Sequence, residues 1–153
     1  MVKNSHLIWK VAYQPGTLQA IAYKNGRKIT NKVETTGEAY QLILKTDRTS
    51  MKANGTDAAV INVTVVEKKG REVPDANNLI SFSFTGDAKI MGVGNGDPSS
   101  HEKDKCEDGN WQRKLFNGKC QLIIQTGTGK SAINIIAKSD GIKSGVQSIS
   151  ATP

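Results

Sequence analysis

Five carboxylates, Asp97, Glu102, Asp104, Glu107 and Asp108, fall in one polar stretch of the chain. Two carboxylates held about 5 to 9.5 Å apart around a sugar can break a glycosidic bond, one as acid and the other as base or nucleophile. The same oxygens can ligate calcium. Lys103, Lys105 and Arg113 lie among them, and the residues favour a charge-balanced, solvated loop. Asp97 precedes Pro98, where an aspartate initiates a turn. Trp111 is the large apolar side chain of this stretch, and an indole face can stack on the C–H face of a pyranose. Trp9 and Tyr13 could stack likewise, although their alternation suits packing or an interface. Asn95, Asp97, His101, Glu102 and Trp111 are therefore the candidate ligand contacts.

Other short patterns carry less. Gly92-x-Gly94-x-Gly96 lacks the G-x-G-x-x-G spacing of a dinucleotide loop, and no helical pattern follows to receive a phosphate. Gly129-Lys130-Ser131 resembles the end of a P-loop, but Ile124 stands where that motif needs glycine. Both read as glycine-rich turns. His6 and His101 are too far apart to join Cys106 and Cys120 in a zinc site at the usual spacing. The two cysteines could close a loop of about 14 residues, worth ~3 kcal/mol in the chain-entropy model. Alternatively, Cys120 is a small buried side chain in an apolar strand. No metal or cofactor is called for.

The elements that must hold these residues are strands. The chain has 153 residues, enough for one ordinary domain or two small ones. Its 15 glycines and frequent Val, Ile and Thr, with no helical stripe, point to an all-β protein. The net charge of +7 comes from scattered residues such as Lys24, Arg27, Lys68, Arg71 and Lys114. With no basic helix and 5% aromatic residues, the pattern excludes a nucleic-acid module. No apolar run reaches the ~20 residues of a membrane span. MVKNSHLIWK lacks the apolar core of a signal peptide, so the protein is cytoplasmic or its export signal lies elsewhere.

In order, Leu7–Tyr13 alternates as a strand, Pro15-Gly16 turns, and Leu18–Tyr23 returns. Asn25-Gly26 is a strong hairpin signal. Ile29–Thr35 and Tyr40–Leu44 complete a four-stranded half-sandwich, which cannot bury its apolar face alone. This face is expected to pack on the second domain or on another copy, as a homodimer. Residues 46–55 read as a polar junction. A second domain follows, with strands at Thr56–Lys68, Ile80–Phe84, Lys89–Val93, Cys120–Gln125, Ile133–Ala137 and Ile142–Ile149. Between Val93 and Leu115 run about 21 residues of low apolar content, and a loop of that length is usually functional or disordered. The spacing of turns predicts an immunoglobulin-like β-sandwich preceded by a partial β-sandwich. The domains are expected at 1–47 and 48–153.

NLISFSFTG (78–86), GVGNGDPSSHE (92–102) and RKLFNGKCQLIIQ (113–125) resemble the C-terminal immunoglobulin-like region of bacterial glycoside hydrolase family 2 enzymes, the β-galactosidase group. WKVAYQPGTLQAIAYKNG (9–26) resembles the end of the domain before it. CEDGNWQ (106–112) departs from the family pattern as an insertion. The resemblance implies a fragment of a parent glycosidase acting outside the cytoplasm, with the rest of that chain as its partner. The family's catalytic glutamates sit on a (β/α)8 barrel, which needs about 200 residues or more, so no catalytic residue carries over. The expected role is a non-catalytic structural accessory. The alternatives are a carbohydrate-binding module using loop 95–111 and a cell-surface adhesion module.

Overall fold

The computed structural model describes residues 7–106 and 109–153. His6, Glu107 and Asp108 lie outside the described residues. Two compact units are present, Met1–Thr35 and Thr36–Pro153. Among the described residues every regular element is a strand, and no helix is long and apolar enough to cross a membrane.

In the first unit, β1 (Thr17–Lys24) and β2 (Arg27–Glu34) form an antiparallel hairpin. Asn25 and Gly26 take φ of 50° and 74°, the positive values a two-residue turn between twisted strands requires. Leu18 pairs with Val33 and Ala22 with Ile29, so these four share one exposed apolar face. The strand expected at Leu7–Tyr13 is not formed. Alternation yields a strand only where a neighbour takes up its N–H and C=O groups, and among the described residues none does. Leu7, Trp9, Val11 and Tyr13 remain exposed.

The second unit is a two-layer sandwich. One layer holds β3 (Gln41–Thr46), β5 (Ala58–Val66), β7 (Ala88–Gly94) and β9 (Lys119–Thr126), in spatial order β7-β9-β5-β3. The other holds β4 (Ser50–Lys52), β6 (Leu79–Thr85), β8 (Gln112–Lys114), β10 (Ser131–Ser139) and β11 (Ile142–Thr152), in order β11-β10-β6-β8 with β4 also on β11. The period of two sets what is buried: Ala59, Ile61, Val63 and Val65 of β5 point inward, as do Leu122 and Ile124 of β9 and Ile133 and Ile135 of β10. They form one core with Leu42, Met51, Ile80 and Ile149. Each such side chain contributes about 1.5–3 kcal/mol over leaving it in water. This is the immunoglobulin-like β-sandwich that the spacing of strands and turns predicts.

The layers meet along one side where β11 runs parallel to β3. Lys143 N–H donates to the Tyr40 carbonyl at 2.8 Å. Gly145 allows this approach, since a Cβ there would lie 2.6 Å from the Leu42 carbonyl oxygen. The strand at Tyr40–Leu44, expected in the preceding unit, thus belongs to the sandwich and pairs with β5 from Gln41 to Thr46. Its buried face, Leu42 and Leu44, matches the β5 ladder rather than the exposed hairpin.

Residues 46–55 are also part of the sandwich rather than a bare junction. β4 pairs with β11 and buries Met51 to 2% exposure; three residues are too few to show a period. Asp57 accepts from Lys52 N–H at 2.7 Å and pairs with Arg48. The Gly129-Lys130-Ser131 turn closes on a carboxylate. Gly129 N–H donates to Asp87 at 2.6 Å, and the Ser131 hydroxyl accepts from Asp87 N–H.

Gly118 is the tightest glycine of the core. Its φ is 74°, and a Cβ would lie 2.2 Å from the Val73 carbonyl oxygen. Its N–H and C=O bond Ala76 and Val65, so the backbone cannot yield. Gly118→Ala is expected to lower unfolding free energy by about 2–4 kcal/mol. Urea denaturation measures this, and a loss below about 0.5 kcal/mol would refute the packing argument.

Candidate functional site

The polar stretch after β7 lies along the open side of the sandwich. There β7 is the edge of one layer and β8 the edge of the other. Val93 of β7 donates its N–H to the Asp104 carbonyl at 2.9 Å. From β8, Arg113 donates to the Glu102 carbonyl at 3.0 Å and to the Asp104 carboxylate at 2.7 Å. Lys114 N–H reaches the Glu102 carboxylate at 3.3 Å, and Asn95 Nδ2 reaches the Lys114 carbonyl at 2.9 Å. The segment therefore links the two open edges and takes up one pairing group of β7, the Val93 N–H, on an edge open to another strand.

Arg113 is the centre of this seam. Its side chain is 5% exposed, against 76% for Asp104 and 32% for Glu102. Its Nε has no hydrogen-bond partner among the described residues and faces the Glu102 carboxylate at 3.9 Å. In the sequence Arg113 reads only as charge balance, because a residue in a three-residue strand shows no periodicity that marks it as buried.

The other candidates are placed as follows. Asp97 accepts from the Ser99 hydroxyl at 2.7 Å and from Ser99 N–H at 2.9 Å. The hydroxyl bond is the larger cause holding its carboxyl below the ordinary value, and the backbone bond adds to it. Asn95 accepts from Asp97 N–H at 3.1 Å. Trp111 is half-buried and packs against the core, with its carbonyl accepting from Phe82 N–H at 2.8 Å. His101 and Glu102 line a cleft of about 700 Å³ with Lys103, Lys105, Cys106, Asn110 and Gln112. Among the described residues no three His, Cys, Asp or Glu side chains converge to hold a metal. Both thiols are free, and burial pushes the Cys120 thiol up to about 12, which makes it inert.

A second concave surface lies on the outer face of the β7–β9–β5 layer. One cleft, about 520 Å³, is lined by Met91, Gly94, Asn95, Asp97, Gln121 and Ile123 among others. Another, about 350 Å³, is lined by Asn62, Thr64, Asn95, Gly96, Lys119 and Gln121 among others. They share Asn95 and Gln121. Asn62 heads an Asn-x-Thr sequon, but neither it nor Gln121 belongs to a ligand-binding motif; the signal for the pair is that amides occupy outward positions of two apolar strands.

Comparison with known proteins places the chain in a family. Residues 42–147 match glycoside hydrolase family 2 C-terminal domain 5, and the chain belongs to that family. Residues 2–30 match a domain of unknown function (DUF4982). The chain is 37% identical over 149 residues to Beta-galactosidase BoGH2A of Bacteroides ovatus, covering 97% of this chain and 17% of that relative's length. It is 30% identical over 122 residues to a "Putative beta-glucuronidase" of Formosa agariphila, covering 76% of this chain and 11% of that one. A solved glycosyl hydrolase family 2 member from Bacteroides cellulosilyticus superposes with a TM-score of 0.88 at 32% identity, covering 96% of this chain and 19% of that structure.

Two outcomes test the seam. Glu102→Ala with Asp104→Ala leaves a buried cation without a counter-charge and is expected to cost about 3 kcal/mol. Arg113→Met leaves an exposed Asp104 and a half-buried Glu102 that water still reaches and is expected to cost about 1–2 kcal/mol. The reverse order in urea denaturation would show that Arg113 is not the buried partner. The Asp97 carboxyl is expected to titrate below 3.8 in carbon-detected NMR. Its contribution to stability is full above the ordinary carboxylate value and is lost as pH falls through the lowered one. A midpoint at or above 3.8 would contradict the Ser99 bonds.

Proposed function

We propose that this chain is a non-catalytic accessory portion of a β-galactosidase-like family 2 enzyme, supporting the catalytic part in carbohydrate breakdown. One observation carries the reading: among the described residues, the loop carboxylates that could do glycoside chemistry are committed to structural bonds, Glu102 and Asp104 in the seam and Asp97 in a local turn. Asp104 is paired with Arg113, Glu102 faces Arg113 and Lys114 N–H, and Asp97 is bonded to Ser99. A general acid needs a raised pKa, and Asp97 is shifted the other way. A (β/α)8 barrel takes about 200 residues or more, beyond the 153 of this chain. The partner in this reading is the rest of the parent chain, and the exposed Leu18, Ile29 and Val33 of the hairpin supply an apolar surface for it. The parent acts outside the cytoplasm, which fractionation of cells producing it checks.

The purified chain is expected to release no nitrophenol from nitrophenyl β-galactoside or β-glucuronide. In the parent enzyme, removal of residues 36–153 is expected to lower the thermal midpoint while leaving kcat within about twofold. Turnover by the isolated chain that co-purifies with it would overturn the accessory reading.

A further inference from the structure

The outer face of the β7–β9–β5 layer carries polar groups that neither the core nor the seam uses. Gln121 Nε2 donates to Asn62 Oδ1 at 2.7 Å across the paired strands β9 and β5. That bond occupies one donor and one acceptor. Among the described residues, the Gln121 carbonyl oxygen and the Asn62 amide nitrogen have no other partner. Each amide holds its neighbour in place, and both sit on strands rather than on a loop. The pair thus presents an acceptor beside a donor on neighbouring strands.

Adjacent hydroxyls of a pyranose match such a pair, because each hydroxyl both donates and accepts. The surroundings extend the match. Ile123 and Met91, 42% and 38% exposed, give one end of the trough an apolar floor. At the other end stands Phe116, 36% exposed; a Cβ on Gly96 would lie 3.8 Å from its ring. An apolar floor suits the C–H faces of sugar rings. From Lys119 to Ile123 the floor runs five residues of strand, four rises or about 13 Å, so it is a trough for a chain rather than a pit for one ring.

Charge selects among glycans. Arg113 is paired with Asp104 at 2.7 Å and Lys119 with Glu72 at 2.8 Å. Asp97 and Glu102 add further carboxylates to the border. Lys105 and Arg113 line the trough as well, but the carboxylates of Asp97, Glu102 and Asp104 outnumber them, so the border is net negative and repels a uronate or sulfate.

We infer that the trough over the Asn62–Gln121 amide pair is a binding site for a neutral polysaccharide chain. It is distinct from a platform on Trp111, whose ring packs against the core, and it stands or falls independently of the accessory role.

Affinity electrophoresis of the whole chain tests this, with gels containing galactan, glucomannan, arabinoxylan or polygalacturonate. Retardation is expected in at least one neutral gel and not in polygalacturonate. Asn62→Ala with Gln121→Ala should weaken it by about tenfold or more. Both positions face outward, and circular dichroism confirms that the variant folds. Val146→Ala, on an exposed position of β11, should leave retardation unchanged. Free migration in all neutral gels, undiminished retardation of the double variant, or preference for polygalacturonate would each overturn the assignment.

Discussion

A sandwich of two layers has two sides to close, and here they are closed by different physics. On one side β11 and β3 run together, and the backbone itself supplies the bond. On the other side β7 and β8 are both edges, and the link is a buried guanidinium. Arg113 reaches from β8 to Glu102 and Asp104, and Asp104 in turn bonds β7 through its carbonyl. A buried charge is costly unless paired and hydrogen-bonded. Residues 102–104 of the segment after β7 are therefore held where a carbonyl and a carboxylate bond the two terminal nitrogens of Arg113.

The same requirement governs the chemistry of the loop. Carboxylates gathered in sequence resemble a catalytic or calcium site, yet a cation buried among them turns them into counter-ions. Ser99 then draws Asp97 into a local turn. Charge that might have been available to a substrate is spread over structural bonds. Recognition is left to neutral groups on the strands, where the amides of Asn62 and Gln121 stand outside the core.

Membership of the family 2 C-terminal domain group agrees with this architecture. The chain spans 17% of the length of its β-galactosidase relative. The sandwich has its own closed core, as an independent domain requires. The hairpin of the first unit does not: its apolar side chains are exposed, and two strands alone are at best marginally stable.

Sequence by itself determined the all-β class, most strands and the central turns. Period-two alternation, as in Ile80, Phe82 and Phe84, and dipeptides such as Asn25-Gly26 and Asn117-Gly118 are local signals with local causes. The motifs NLISFSFTG and RKLFNGKCQLIIQ also carried the family, because side-chain order is written along the chain. What tertiary structure alone decided depends on distant partners. Leu7–Tyr13 alternates but finds no ladder, so it forms no strand. Tyr40–Leu44 looks like a fourth hairpin strand but pairs with β5. β4 and β8 exist because β11 and β6 offer them edges. Trp111 lies in a polar stretch but reaches the core. Arg113 reads as one more surface cation until the fold buries it. Burial and pairing are properties of pairs of segments, and a single run of residues encodes only its own half of each pair.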